Sequence, residues 1–174
     1  MGGYGSGWHR ARTYTVESAW ILSAASLMRD NILRPNHSYH GGTITWSDGR
    51  TGEPLSKIGF SSDCRANFGW CQLNYTITDT GEKMDFRVQL TTTPLPWGGL
   101  KWWFICPLIV DGVHCGRRVA KLYHPPHGRY YGCRHCHKLS YNSSRKAHQF
   151  ESGFADIGRG MGLSAREVAK LLRR

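Results

Sequence analysis

Four of the six cysteines stand as two pairs in one short stretch, Cys106 with Cys115 and Cys133 with Cys136, with seventeen residues between the pairs. No other feature of the chain limits its fold as much. A Cys-x-x-Cys puts two sulfurs on one turn, and a strand-sized spacer brings a second pair opposite, which is the layout of a tetrahedral four-cysteine zinc site. Cys133 and Cys136 bracket Arg134 and His135, a spacing that aims both sulfurs at one ion about 2.3 Å away. The first pair is expanded, with eight residues between Cys106 and Cys115 in place of the usual two to four. Asp111-Gly112, inside that insertion, can turn a small hairpin. His114, His135 and His137 are the competing ligands. An all-cysteine set is preferred because one ribbon topology then uses all four sulfurs. A disulfide framework would need an oxidising compartment, and the N-terminus lacks the apolar stretch of a secretory signal. The expectation is structural Zn2+ held by Cys106, Cys115, Cys133 and Cys136 in a cytoplasmic protein.

Charge is concentrated in the same region. Residues 101–150 carry nine Lys or Arg against the single acid Asp111, whereas residues 36–100 carry five against six. Four thiolates and one zinc ion subtract two charges, so the module keeps about +6. Of the formal +11 on the whole chain, most therefore sits here. A localised basic surface favours a polyanion, and the candidate phosphate contacts are Arg117, Arg118, Lys121, Arg129, Arg134, Lys138, Arg145 and Lys146. Trp97, Trp102, Trp103, Phe104, Tyr123, Tyr130, Tyr131 and Tyr141 are interleaved with these cations. Aromatic faces beside Arg and Lys hold single-stranded nucleic acid by stacking, but a ribbon also needs aromatics to cover its metal. Strand alternation puts Trp102 and Phe104 on one face and Trp103 on the other.

The remainder reads as an α+β fold in four segments. Residues 1–14 form a glycine-rich flexible arm. Residues 15–99 form a helix plus an antiparallel β-sheet domain. Residues 100–145 are the zinc ribbon, and residues 146–174 a glycine-interrupted tail with a C-terminal helix. The N-terminal helix is expected from Thr15 as N-cap to Leu33, with Val16, Trp20, Ala24, Leu27 and Met28 on one apolar face and Pro35 as its stop. It should pack on an antiparallel meander whose strands lie within 42–47, 56–62, 69–78, 84–93 and 100–106. The strongest hairpin sets residues 71–78 against residues 84–90, with Leu73, Tyr75 and Ile77 on one face and Phe86, Val88 and Leu90 as its continuation. Cys64 and Cys71 fall in the sheet, where they read as free thiols more readily than as a second metal site with His37 or His40. In the tail, Ser164 and Glu167 make a capping box for a helix that packs on the body or on a partner. No run of about 18 apolar residues suggests a membrane span.

The segments LTTTP (90–94), GGLKWWFICP (98–107), CGRRVAKLY (115–123) and YGCRHCHKLSYNS (131–143), with the opening MGGYGSG, carry a resemblance. The chain resembles a widespread, uncharacterised group of bacterial zinc-ribbon proteins in which a glycine-rich start and a β-rich domain lead into a C-terminal ribbon. That resemblance implies the fold plan and the four cysteine ligands, and no activity. The long first knuckle and the last thirty residues depart from the group's pattern.

Three functions compete. A non-enzymatic nucleic-acid-binding accessory or regulatory protein accounts for both the charge and the cysteines. A ribbon docking on a protein of a nucleic-acid-processing machine is the alternative. A metal-dependent nuclease using His135, His137, Asn142 and His148 ranks last, because the spacings are too short for the usual hairpin and helix and no paired carboxylates stand nearby.

Overall fold

The computed structural model describes residues 14–144, of which residues 18–138 form one unit and 14–17 with 139–144 belong to a second. The arm up to residue 13 and the tail, including its capping box, lie outside the described residues.

The larger unit is built on an antiparallel sheet. Its strands are β2 (His37–Ser47), β3 (Pro54–Cys64), β4 (Phe68–Thr76), β5 (Lys83–Pro94) and β6 (Leu100–Ile105). They pair in sequence order, and the short β9 (Arg118–Val119) closes the far edge beside β6. The turns follow from local chemistry. After β2, the carboxylate of Asp48 accepts hydrogen bonds from the N–H groups of Arg50 (2.7 Å) and Thr51 (2.9 Å), the geometry of an Asx-turn. Between β5 and β6 the chain reverses through Gly98 and Gly99, both at positive φ, a region that costs an L side chain strain.

Alternation along the strands decides which side chains are covered. In β4 and β5, Leu73 lies opposite Phe86 and Cys71 opposite Val88, and Leu73, Cys71, Val88 and Leu90 are fully buried. On β6 the same period buries Trp102 and Phe104 and leaves Trp103 on the other side. Fully burying one such aliphatic or aromatic side chain contributes about 1.5–3 kcal/mol. The cover over this face comes from β1 (Trp20–Ser23), α1 (Ala24–Arg29) and β10 (Lys121–His124), which supply Leu22, Ala24, Leu27 and Leu122 to the same core.

The helix expected over residues 15–33 is not there, and the α+β class gives way to a mostly β fold. Val16–Ser18 make a single 3-10 turn, Trp20–Ser23 are a strand, and only Ala24–Arg29 are α-helical. The reason is a partner distant in sequence. β1 pairs antiparallel with β10, Ile21 opposite Tyr123 and Leu22 opposite Leu122. Trp-Ile-Leu suits an extended, half-covered ribbon, and the ladder satisfies its backbone as a helix would. The indole N–H of Trp46 adds a bond to the Ile21 carbonyl (3.1 Å), tying β2 to this strand. α1 ends at Asp30, whose N–H bonds to the Ser26 carbonyl, and Asn31 follows at positive φ.

In the smaller unit Thr15 bridges Ser140, and the Glu17 carboxylate accepts from the Asn142 N–H at 3.1 Å. No helix among the described residues is long and apolar enough to cross a membrane.

Candidate metal centre

β6 runs straight from the sheet into the first knuckle. The Cys106 N–H bonds to the Arg117 carbonyl (2.9 Å), and the Cys115 N–H to the Leu108 carbonyl (2.8 Å), so both sulfurs of the first pair are fixed by backbone. The insertion between them folds as a two-stranded hairpin, β7 (Ile109–Val110) with β8 (Val113–His114), turning at Asp111 and Gly112, both at positive φ. The insertion thus leaves and returns without moving the cysteines apart.

The second knuckle is held by β10. Tyr123 and Gly132 exchange both backbone hydrogen bonds (2.8 and 3.0 Å), which delivers the chain to Cys133. A Cβ at Gly132 would lie 2.1 Å from Leu108 Cδ1, so any side chain there must push Leu108 aside. The turn closes with the His137 N–H on the Cys133 carbonyl, and Lys138 leaves it at positive φ.

These elements converge the four sulfurs within 4.8 Å of one another, the one cluster of three or more metal-ligating side chains among the described residues. The separations are 3.9 Å for Cys106 and Cys136, 3.9 Å for Cys115 and Cys133, and 3.5 Å for Cys133 and Cys136. A regular tetrahedron of 2.3 Å metal–sulfur bonds has edges of about 3.8 Å, so the arrangement fits a single ion and is far too open for disulfides. Backbone N–H groups support the sulfurs: that of Cys133 points at Cys106 Sγ (3.3 Å) and that of Cys136 at Cys133 Sγ (3.4 Å). Burial pushes Cys106 up to about 11 and raises Cys136 as well. At Cys115 burial acts the same way, but the Arg117 N–H and the neighbouring sulfurs outweigh it and pull the thiol down. A divalent cation that binds thiolate supplies the drive to ionise such a set, which couples its binding to proton release.

The three histidines that competed as ligands stand apart from the cluster. His114 and His135 are exposed, and His137 is half-buried with its Nε2 unpartnered. Cys64 and Cys71 are buried in the core, where burial raises both thiols.

The cations divide into groups. Arg117, Arg118, Lys121 and Lys138 are exposed and form no ion pair among the described residues. Arg129 is paired with Glu82. Arg134 is half-buried within the knuckle, and Arg145 and Lys146 lie outside the described residues. Of the aromatics, Trp102, Phe104, Tyr123 and Tyr131 are buried, while Trp97 is 95% exposed at the β5–β6 turn.

One neighbouring cluster escaped sequence reasoning. His124 on β10 lies 4.9 Å, ring to ring, from Tyr131, and Tyr75 meets both edge-on. His124 Nε2 is buried without a partner, and burial, then the charge of His137, pushes its pKa down. The signal was the alternation of Tyr123 and His124 before Pro125, which reads as a strand end only once β1 is known to pair there.

No family model, curated protein or solved structure matches the chain.

Proposed function

We propose that this chain is a zinc-stabilised nucleic-acid-binding protein, an accessory or regulatory factor and not an enzyme. Zn2+ suits the four-thiolate set, since soft sulfur ligands in tetrahedral array select it over magnesium, calcium or manganese. Cys106, Cys115, Cys133 and Cys136 would hold it, and its part is to cross-link the two knuckles. The likeness to the bacterial zinc-ribbon group points the same way.

The observation that carries the nucleic-acid reading is the set of exposed cations along residues 106–138 that form no ion pair among the described residues: Arg117, Arg118, Lys121 and Lys138. A cation meant only for solubility needs no neighbours of its own sign, whereas several on one module set up the potential that draws in phosphate. Fluorescence-anisotropy titration of the zinc-loaded chain with single-stranded DNA, duplex DNA and RNA tests it. Binding should weaken steeply between about 50 and 200 mM salt as counterions are released. Absence of binding to all three at the lower salt overturns the reading.

A second reading has one observation in its favour. Ile109 and Val113, on the knuckle hairpin, are each 69% exposed, an apolar tip suited to docking on a protein. A partner retained in a pull-down after nuclease treatment would support it. A nuclease is less favoured, because no carboxylate joins the metal-ligating cluster among the described residues. Strand cleavage lost in His148→Ala would reverse that order.

A further inference from the structure

The sheet has a second face, opposite the core. Period-two alternation sends Phe68 and Trp70 of β4 outward while Gly69 and Cys71 turn in, and both aromatics stay open, at 49% and 45% exposure. The register sets their surroundings. Phe68 lies opposite Thr91, which lies opposite Trp103, and Trp70 lies opposite Gln89. Two outward residues on one strand stand about 7 Å apart, so Phe68 and Trp70 can each take one of two neighbouring bases.

Cations stand in fixed positions around the third ring of the row, Trp103. Lys101 Nζ is 4.2 Å from the centre of the Trp103 ring and the Arg118 guanidinium 5.3 Å from it. Thr93 Oγ1 accepts from both the Trp103 indole (3.1 Å) and Arg118 Nη1 (3.1 Å), which locks the ring and the guanidinium together. Neither Lys101 nor Arg118 forms an ion pair among the described residues. Beside Trp70 is a depression of about 370 Å³ lined also by His40, Asp63, Gln72 and Arg87, in which Arg87 Nε donates to Gln72 Oε1 (3.0 Å) and so holds the guanidinium at the rim. The acids of this face are already engaged: Asp63 pairs with Arg65 (3.6 Å) and accepts from Ser38, and Asp85 accepts the Gln72 amide.

We infer that the outward face of the sheet is a binding surface for single-stranded nucleic acid, with bases stacked on Phe68 and Trp70 and phosphates held by Lys101, Arg118 and Arg87. The inference rests on the nucleic-acid reading above and gives it a strand type and a location on the outward face of the sheet. A duplex hides its base faces, so exposed flat aromatics among cations recognise unpaired bases. The net positive edge from Lys101 to Arg118 complements the strand's charge.

The test uses the full zinc-loaded chain and one labelled oligonucleotide, as a single strand and as its duplex. The single strand should bind more tightly. Phe68→Ala/Trp70→Ala should weaken it about thirtyfold or more, the least that removal of two stacking rings implies. Lys101→Glu should lower the salt slope by about one, the share of a single neutralised phosphate. Arg117→Glu/Lys121→Glu should weaken the single strand less than the aromatic double variant does. If the double variant binds as the parent does while Arg117→Glu/Lys121→Glu does not bind, the sheet face is overturned and the nucleic-acid reading stands. A preference for duplex overturns the strand type, and no binding by the parent overturns both readings. Should the double variant melt early, ultraviolet crosslinking of the unaltered chain decides: adducts on Phe68 or Trp70 support the inference, and adducts confined to residues 106–138 overturn it.

Discussion

The sheet and the knuckle region are held together by different forces. Residues 37–105 fold by covering one face, where Leu73, Val88, Leu90, Trp102 and Phe104 are each at most 1% exposed. Residues 106–138 have few such side chains. Their β7, β8 and β9 are two residues each, Ile109 and Val113 face solvent, and Cys106 and Cys133 are buried at the point of convergence. A segment that cannot bury enough apolar area must obtain its stability from a cross-link, and a metal ion held by the four sulfurs would provide one. The two regions share β6, whose Phe104 enters the core two residues before Cys106.

Removing one sulfur should break that division most severely. If the four sulfurs hold zinc as proposed, Cys133→Ser should release it and let residues 106–138 open, because structural zinc contributes on the order of 10 kcal/mol in small modules. Metal analysis reports the loss, and hydrogen exchange should show amides of β3 to β5 still protected. An unchanged near-UV spectrum and melting temperature would mean that the sulfurs are not a structural centre. The mirror experiment is Phe104→Ala, expected to cost about 3–5 kcal/mol by cavity formation. Its melting temperature should fall while the zinc content at 25 °C stays at one ion per chain. Gly132→Ala probes the join between the regions. The added methyl must displace Leu108, at a cost of about 1–3 kcal/mol. Faster zinc transfer to a chelator is the expected sign, and Gly59→Ala, whose Cβ would stand 3.3 Å from Asn74, serves as the sheet control.

How much could be read beforehand depends on how local each determinant is. The convergence of Cys106, Cys115, Cys133 and Cys136 was legible because ligand spacing is a local constraint, and an insertion that folds on itself does not disturb it. The hairpin of β4 with β5 was legible because both arms alternate and a short turn joins them, though its register, Leu73 opposite Phe86, comes from the structure. The stretch from Thr15 to Leu33 was not. Val16, Trp20, Ala24 and Leu27 happen to fit a helical stripe, and the strand that claims Trp20–Ser23 arrives about a hundred residues later, at Lys121–His124. Within that window only Ala24–Arg29, free of β-branched residues, stays helical. The outward aromatics were missed for a related reason. Phe68 and Trp70 lie outside the cysteine-rich stretch, and only the register brings Trp103 across Thr91 into their row.

The smallest expected effect concerns the seam where β10 meets the second knuckle. Burial, then the charge of His137, holds His124 below its ordinary pKa, and its Nε2 has no partner. The unfolded chain, with an ordinary histidine pKa near 6.5, therefore takes up this proton first as pH falls. Stability from keeping His124 neutral is complete above about pH 6.5 and declines below it, by at most about 1.4 kcal/mol per pH unit. His124→Phe keeps an aromatic ring beside Tyr75 and Tyr131 and removes the proton site. The variant should match the parent near pH 7.5 and lose stability less steeply toward pH 5.5 when melting temperatures are compared at equal zinc loading. Acid release of zinc from the four thiolates acts on both proteins alike, so the difference between their slopes isolates the histidine. Equal slopes would mean that His124 is protonated as easily in the folded protein as in the unfolded chain.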